Sequence, residues 1–136
     1  MPTFFDGTFW FAVMGASAAA LKHTLKPLET MRELSPVAVD AKNNNAVSPE
    51  ALWWGGYCFS AMNTGFATIG LYAHVANSSE AKAGLLLGTG VMFEAFALAW
   101  ITRGSITGKK DYRKQATKIS ILGLVFLTGF ASRPKV

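Results

Sequence analysis

Apolar residues along the chain are gathered into four long segments separated by polar stretches. These segments cover about residues 4–21, 52–75, 83–102 and 117–131. A helix needs about 20 apolar residues to cross the hydrocarbon core of a bilayer, so the first three are long enough and the fourth is short. The pattern predicts one all-α integral membrane domain of four transmembrane helices in up-down order. A long polar loop separates helices 1 and 2.

The third segment carries a single charged residue, Glu94, near its middle. A carboxyl group at that depth is costly in a membrane and normally faces other protein. The turn at 76–81 is short, so helices 2 and 3 should form an antiparallel hairpin, which brings Asn63 to the depth of Glu94. The sequence therefore predicts an intramembrane polar pin made by these two residues.

Small residues at a spacing of four predict where helices approach closely. Gly84 and Gly88 have this spacing in the third segment, and Gly15 and Ala19 have it in the first. Such pairs let another backbone come near, so we expect both faces to pack against a partner helix. For the first segment an alternative stays open, in which its alanine-rich run simply favours helix formation.

The polar stretch at 24–50 is interrupted by Pro27, Pro36 and Pro49, which break any long helix. Residues 28–34 could form one or two turns on the membrane surface. Serine, proline and glutamate at 48–50 form a good helix start, with a cap, a first-position proline and an acid in the first turn.

Composition agrees with a membrane protein. Hydrophobic residues make up 51% of the 136-residue chain and charged residues 15%, which is an apolar balance for one domain. The lone Cys58 excludes an intrachain disulfide and any cysteine-rich metal site, and we expect it to be a buried small hydrophobe. The N-terminus lacks the features of a signal or transit peptide, so we expect an unprocessed start.

The net charge of +5 is distributed unevenly between the predicted sides of the membrane. Four spans place ten basic residues on one side and three on the other, as the positive-inside rule expects. We therefore expect both termini on the intermembrane-space side and the basic loops on the matrix side. The basic residues do not alternate with exposed aromatics, which argues against nucleic-acid binding.

The segment 103–118 is interpreted as a solvated basic loop that contacts anionic lipid or an acidic partner. The residues expected to make these contacts are Arg103, Lys109, Lys110, Arg113 and Lys114.

Catalytic and nucleotide-binding motifs are absent from the sequence, which leaves few candidates for chemistry. Glu94 could act as a proton carrier, general acid or cation site, or as a structural pin, and the single carboxylate at depth favours the pin. His23 and His74 could ligate haem or chlorophyll, although interfacial histidines are the more common case. No metal or cofactor is predicted, while bound lipid such as cardiolipin is compatible with the pattern.

The sequence combines a long first loop, a tight central hairpin and an acid in the third helix. Over about residues 50–105 this layout resembles the small four-helix scaffold protein of sterol C-4 demethylation, and the resemblance implies a scaffold role. Trp54-Gly55-Gly56-Tyr57 departs from the aromatic-glycine-x-Trp-Thr motif expected in its second helix. No residue role is therefore carried over.

The leading functional hypothesis is a non-catalytic accessory subunit of a large organellar membrane complex. The mitochondrial inner membrane is the expected location, in a respiratory-chain or ATP synthase assembly, with other membrane subunits and lipids as partners. Two alternatives stay open. One is a small membrane enzyme or transporter, or a sterol-pathway scaffold, that uses Glu94. The other is a pigment-binding photosystem subunit with His23 or His74 as a magnesium ligand.

Overall fold

A computed structural model describes residues 1–34, 49–107 and 110–135, and every regular element in these ranges is a helix. The elements are α1 (Phe4–Leu25), α2 (Pro27–Leu34), α3 (Pro49–Val75), α4 (Ser79–Thr107) and α5 (Lys110–Ala131). They form two compact units, which are described separately. The first combines Met1–Ala12 with Ile69–Val136, and the second is Val13–Thr68.

In the first unit, α1 begins with a capping box. The backbone amide of Asp6 donates to Thr3 Oγ1 at 3.1 Å, and the amide of Thr3 donates to the Asp6 carboxylate at 3.2 Å. The Thr3 hydroxyl also donates to that carboxylate, at 2.7 Å. These bonds satisfy amides that the first turn of a helix leaves without partners.

The turn between α3 and α4 is a tight helix-to-helix connection. Asn77 has φ of 49°, in the left-handed region that asparagine tolerates better than most residues. The Asn77 amide donates to His74 O and the Ser78 amide to Ala73 O, which is the Schellman pattern of helix termination. Ser78 Oγ then accepts the Ala81 amide at 3.1 Å and caps α4.

α4 and α5 form an antiparallel pair with extensive contact in the first unit. Glu94 on α4 lies beside Ser120 on α5, and Gly90 lies beside Gly123 and Leu127. The two glycines lack a Cβ at the point where the helices meet, so the backbones approach closely. The largest fully buried side chains of this unit are those of Phe9 and Leu86.

In the second unit, the short helix α2 docks on a glycine pair of α3. A Cβ added at Gly56 would lie 2.6 Å from the Cα and carbonyl oxygen of Pro27, and one added at Gly55 would lie 3.0 Å from the Met31 methyl group. Thr30 faces inward and is 1% exposed. The prediction of one or two helical turns at 28–34 agrees with α2. A larger side chain at either position would press against α2, so the two glycines allow α2 to pack closely on α3.

Two helices among the described residues are long and apolar enough to cross a membrane, namely α1 and the Ser79–Thr102 part of α4. Two of the four predicted spans therefore have this support, and spans by α3 and α5 stay predictions. α3 has no fixed charge within 52–75, but its many glycine and hydroxyl-bearing residues lower its hydropathy. α5 begins with two strongly polar turns.

Two expectations about local structure were wrong. The basic stretch at 103–118 is not a loop, because α4 continues to Thr107 and α5 begins at Lys110. Lysine, arginine, glutamine and alanine all favour helices, so a charged stretch can be helical as readily as a loop. Cys58 is exposed instead of buried. It lies two residues after Gly56, which rotates it by about 200° from the face of α3 that receives α2.

Candidate functional site

The carboxylate of Glu94 is a polar group that lies in the α4–α5 interface. Its Oε2 accepts a hydrogen bond of 2.9 Å from the Ser120 hydroxyl. Its Oε1 is buried and has no hydrogen-bond partner. The same oxygen lies directly over Gly123, where a Cβ would collide with it and would also lie 3.0 Å from Glu94 Cδ. Gly123 therefore provides the space that the carboxylate occupies.

This geometry joins the α4 and α5 helices through the hydrogen bond that Ser120 donates to Glu94. Loss of such a bond would leave a part-buried acceptor without its partner. A metal site has no support here, because no group of three or more His, Cys, Asp or Glu side chains in the described ranges could hold an ion. The arrangement favours a structural pin between two helices of the first unit.

Asn63, the predicted partner of Glu94, lies on the part of α3 that belongs to the second unit. Its side-chain Nδ2 donates to the Phe59 carbonyl of its own helix at 2.8 Å. Glu94 obtains its hydrogen bond from Ser120 of α5. The predicted pairing of Asn63 with Glu94 stays a prediction.

A polar cluster joins α1, α2 and α3 in the second unit. The His23 Nδ1 and Thr30 Oγ1 atoms are 2.7 Å apart, and the His23 ring stands edge-on to Phe59. The Thr24 and Ser60 hydroxyls are hydrogen-bonded to each other. Ser60 also donates to the Ala20 carbonyl at 3.1 Å. These bonds connect the end of α1 to α2 and α3, so His23 has a structural role where the three helices meet.

His74, the other candidate ligand, lies at the exposed end of α3 in the first unit. Its ring packs edge-on against Trp10, with ring centroids 4.7 Å apart. Tryptophan and histidine at a helix end are typical of a membrane–water interface. A ligand role for either histidine stays a prediction.

The four residues predicted to pack against a partner helix are Gly15, Ala19, Gly84 and Gly88. The three glycines are exposed, and no described residue lies within 4 Å of a Cβ added to any of them. Gly84 also lines an open groove of about 690 Å³ between the start of α4 and the C-terminal tail. Ala19 is half-buried, whereas no described residue covers the three glycines, so the predicted packing at the glycines would have to involve a partner.

The five basic residues predicted to contact lipid or a partner fall into three groups. Arg113 and Lys114 are exposed on the second turn of α5. Arg103 and Lys110 lie on α4 and α5, and their side chains are outside the described part of the structure. Lys109 lies outside the described residues altogether.

Sequence reasoning missed Ser120 and Gly123, which contact Glu94, and Gly90, which lies one turn before Glu94 and packs against α5. The signal was available in the register of the α4–α5 pair. An antiparallel hairpin that turns near residue 108 brings Glu94 opposite residues 120–123, where a serine and a glycine stand. That register required a helix through the basic stretch, and the stretch had been interpreted as a loop.

No protein-family model, curated protein or solved structure matches this chain. The site must therefore be interpreted from its own geometry.

Proposed function

We propose that this protein is a non-catalytic membrane subunit that packs against other membrane proteins in a larger complex. One observation carries the proposal. Only 28% of the apolar window is buried in each of the two candidate spans, α1 and Ser79–Thr102. A core helix of a water-soluble protein would be mostly buried, so these apolar faces need lipid or partner helices to cover them.

The open glycine face of α4 favours partner helices over lipid alone. Gly84 and Gly88 are exposed and one turn apart, and a helix with this spacing can accept another backbone at close range. Glu94 supports the same proposal, because its contacts with Ser120 and Gly123 fit a helix-to-helix pin. The mitochondrial inner membrane is the location we propose, and the distribution of basic residues between the two sides supports an orientation with the more basic side toward the matrix.

The test is the native size of the assembly that contains this chain. Membranes are first washed with alkaline carbonate, then extracted in mild detergent, and the protein is located on a native gel with mass spectrometry of the band. We expect retention in the carbonate pellet and co-migration with a complex far larger than the chain. Migration as a monomer or small homo-oligomer would refute the subunit role, and release by carbonate would refute the membrane location.

Two variants refine this test. Gly88→Leu adds bulk to the open face of α4, where no described residue lies within 4 Å of an added Cβ, so we expect it to reduce incorporation into the complex while the helical content stays native. Leu87→Met is the matched control, because this neighbouring exposed residue keeps its bulk. Equal incorporation of both variants would exclude the glycine face as the docking surface.

A second candidate function, an acid site at Glu94, is favoured by its buried and unpartnered Oε1. Glu94→Gln keeps the size of the side chain and removes the acid. A structural pin predicts normal assembly and normal turnover of the complex. Normal assembly with lost turnover would instead establish Glu94 as a proton or cation site.

A further inference from the structure

The exposed side of α5 changes abruptly from cationic to apolar along its length. Arg113, Lys114 and Lys118, here called the cationic stripe, are all exposed on its first turns. One turn further along the same side, Ile121 is 57% exposed and Leu124 is 56% exposed. Residues at spacings of three, four and seven share a helix face, so both halves of this surface are continuous.

Among the described residues, no acidic side chain neutralises the cationic stripe. No ion pair involves any of its three side chains in the described part of the structure. The opposite side of α5, with Tyr112 and Ala116, is buried. The three cations therefore face outward as a group. The apolar side chains next to them are also exposed.

The antiparallel register places this boundary relative to the candidate span of α4. Counting from the Glu94–Ser120 contact, Lys118 lies level with Phe96 and Lys114 lies level with Trp100. Both α4 residues are inside the span that ends at Thr102. Tryptophan near the end of a span is typical of the headgroup level. The register therefore brings the cationic stripe to the membrane surface or slightly below it.

The length of the apolar part of α5 strengthens this placement. From Ile119 to Ala131 the helix rises by about 20 Å, which is less than the hydrocarbon thickness of about 30 Å. A short apolar stretch is accommodated by local thinning and by long cationic side chains that extend to the interface. Either adjustment brings the lysines of the stripe against lipid phosphates.

We propose that the cationic stripe binds the phosphate groups of anionic lipids in one leaflet. Lipid is the occupant that fits, because it presents negative phosphate and apolar acyl chains in the same order as the stripe and the residues beyond it. Ile121 and Leu124 lie against the acyl chains. This inference rests on the membrane location in the proposed function and is independent of the subunit role.

The test uses the full chain, purified in mild detergent and titrated with phosphatidylglycerol or phosphatidylcholine. Native mass spectrometry counts the lipid molecules bound to each protein. The wild type is expected to prefer phosphatidylglycerol. Each lysine near an anionic surface is worth about fivefold in affinity. Lys114→Gln/Lys118→Gln should therefore weaken phosphatidylglycerol binding by about thirtyfold, with little change for phosphatidylcholine.

Two controls make the outcome decisive. Arg133→Gln/Lys135→Gln removes the same charge from the opposite end of the hairpin and should have little effect, while Lys114→Arg/Lys118→Arg should retain binding. A wild type without preference for phosphatidylglycerol overturns the proposal, as does an equal loss in the opposite-end control. If carbonate retains the wild type in membranes but the preference is absent, only this inference fails. Circular dichroism verifies that each variant keeps its helical content.

Discussion

The docking of α2 on α3 makes a graded prediction for three glycines of one helix. Gly56→Ala would place a methyl group 2.6 Å from the Pro27 backbone, which cannot move unless α2 moves. Gly55→Ala meets only the flexible end of Met31, at 3.0 Å or more. Gly65→Ala meets no described residue within 4 Å, so it is the matched control.

The magnitudes follow from two opposing effects. Alanine stabilises a helix interior by about 1 kcal/mol relative to glycine, while overpacking a close contact costs about 1–3 kcal/mol. Gly65→Ala should therefore raise the free energy of unfolding by about 1 kcal/mol. Gly56→Ala should lower it by up to about 2 kcal/mol, because its added methyl group meets backbone atoms and the overpacking cost lies at the upper end of its range. Gly55→Ala should fall between them, because the Met31 side chain can shift.

The assay combines denaturant titration in mixed micelles with hydrogen exchange. The amide of Thr30 donates to the Lys26 carbonyl at 3.1 Å, so its protection reports whether α2 is formed and docked. We expect Gly56→Ala to lose this protection and Gly65→Ala to keep it. If Gly56→Ala were as stable as Gly65→Ala and equally protected at Thr30, the proposed seat of α2 on the glycine pair would be wrong.

Three further substitutions test the first unit in the same denaturant titration. Asn77→Val should lower the free energy of unfolding by about 1–2 kcal/mol because a β-branched residue resists positive φ, whereas Asn77→Gly should be neutral or stabilising. Equal stability of the two variants would refute the left-handed turn. Gly123→Ala should destabilise by up to about 2 kcal/mol, because displacing the Glu94 carboxylate outweighs the helix-forming gain of alanine. Glu94→Ala should remove most of that penalty in the double variant, and additive effects would contradict the contact. Thr3→Ala should cost about 1 kcal/mol through loss of the α1 cap, and an unchanged stability would show that the capping box contributes nothing.

Much of the helical order followed from the sequence because apolar length and capping residues are local signals. The predicted segments at 4–21 and 83–102 lie within α1 and α4, and Pro49 begins α3 as its position before an acidic first turn indicated. The remainder of the predicted loop at 35–48 lies outside the described residues. Where apolar length and helix propensity agree, the sequence was sufficient to predict the helix.

The surroundings of Glu94 could not be predicted, because they depend on a register set by a distant turn. Pairing across the turn at 76–81 selected Asn63, while the α4–α5 pair brings Ser120 and Gly123 to the carboxylate. The α4–α5 contacts could be predicted only if the lysine-rich stretch was interpreted as helical, while the pairing with Asn63 stays a prediction. Charge indicates exposure to water or headgroups, but it does not distinguish a loop from a helix.

The connection between α3 and α4 is so short that Ser78 takes part in the ends of both helices. Its amide closes the end of α3, its carbonyl accepts the Lys82 amide at 3.1 Å, and its hydroxyl caps α4. An inserted residue would rotate α4 by about 100° about its axis relative to the end of α3. That rotation would turn Glu94 away from its present direction. The chain should therefore tolerate substitutions in this turn far better than changes in its length, so an epitope or a fluorescent label belongs elsewhere.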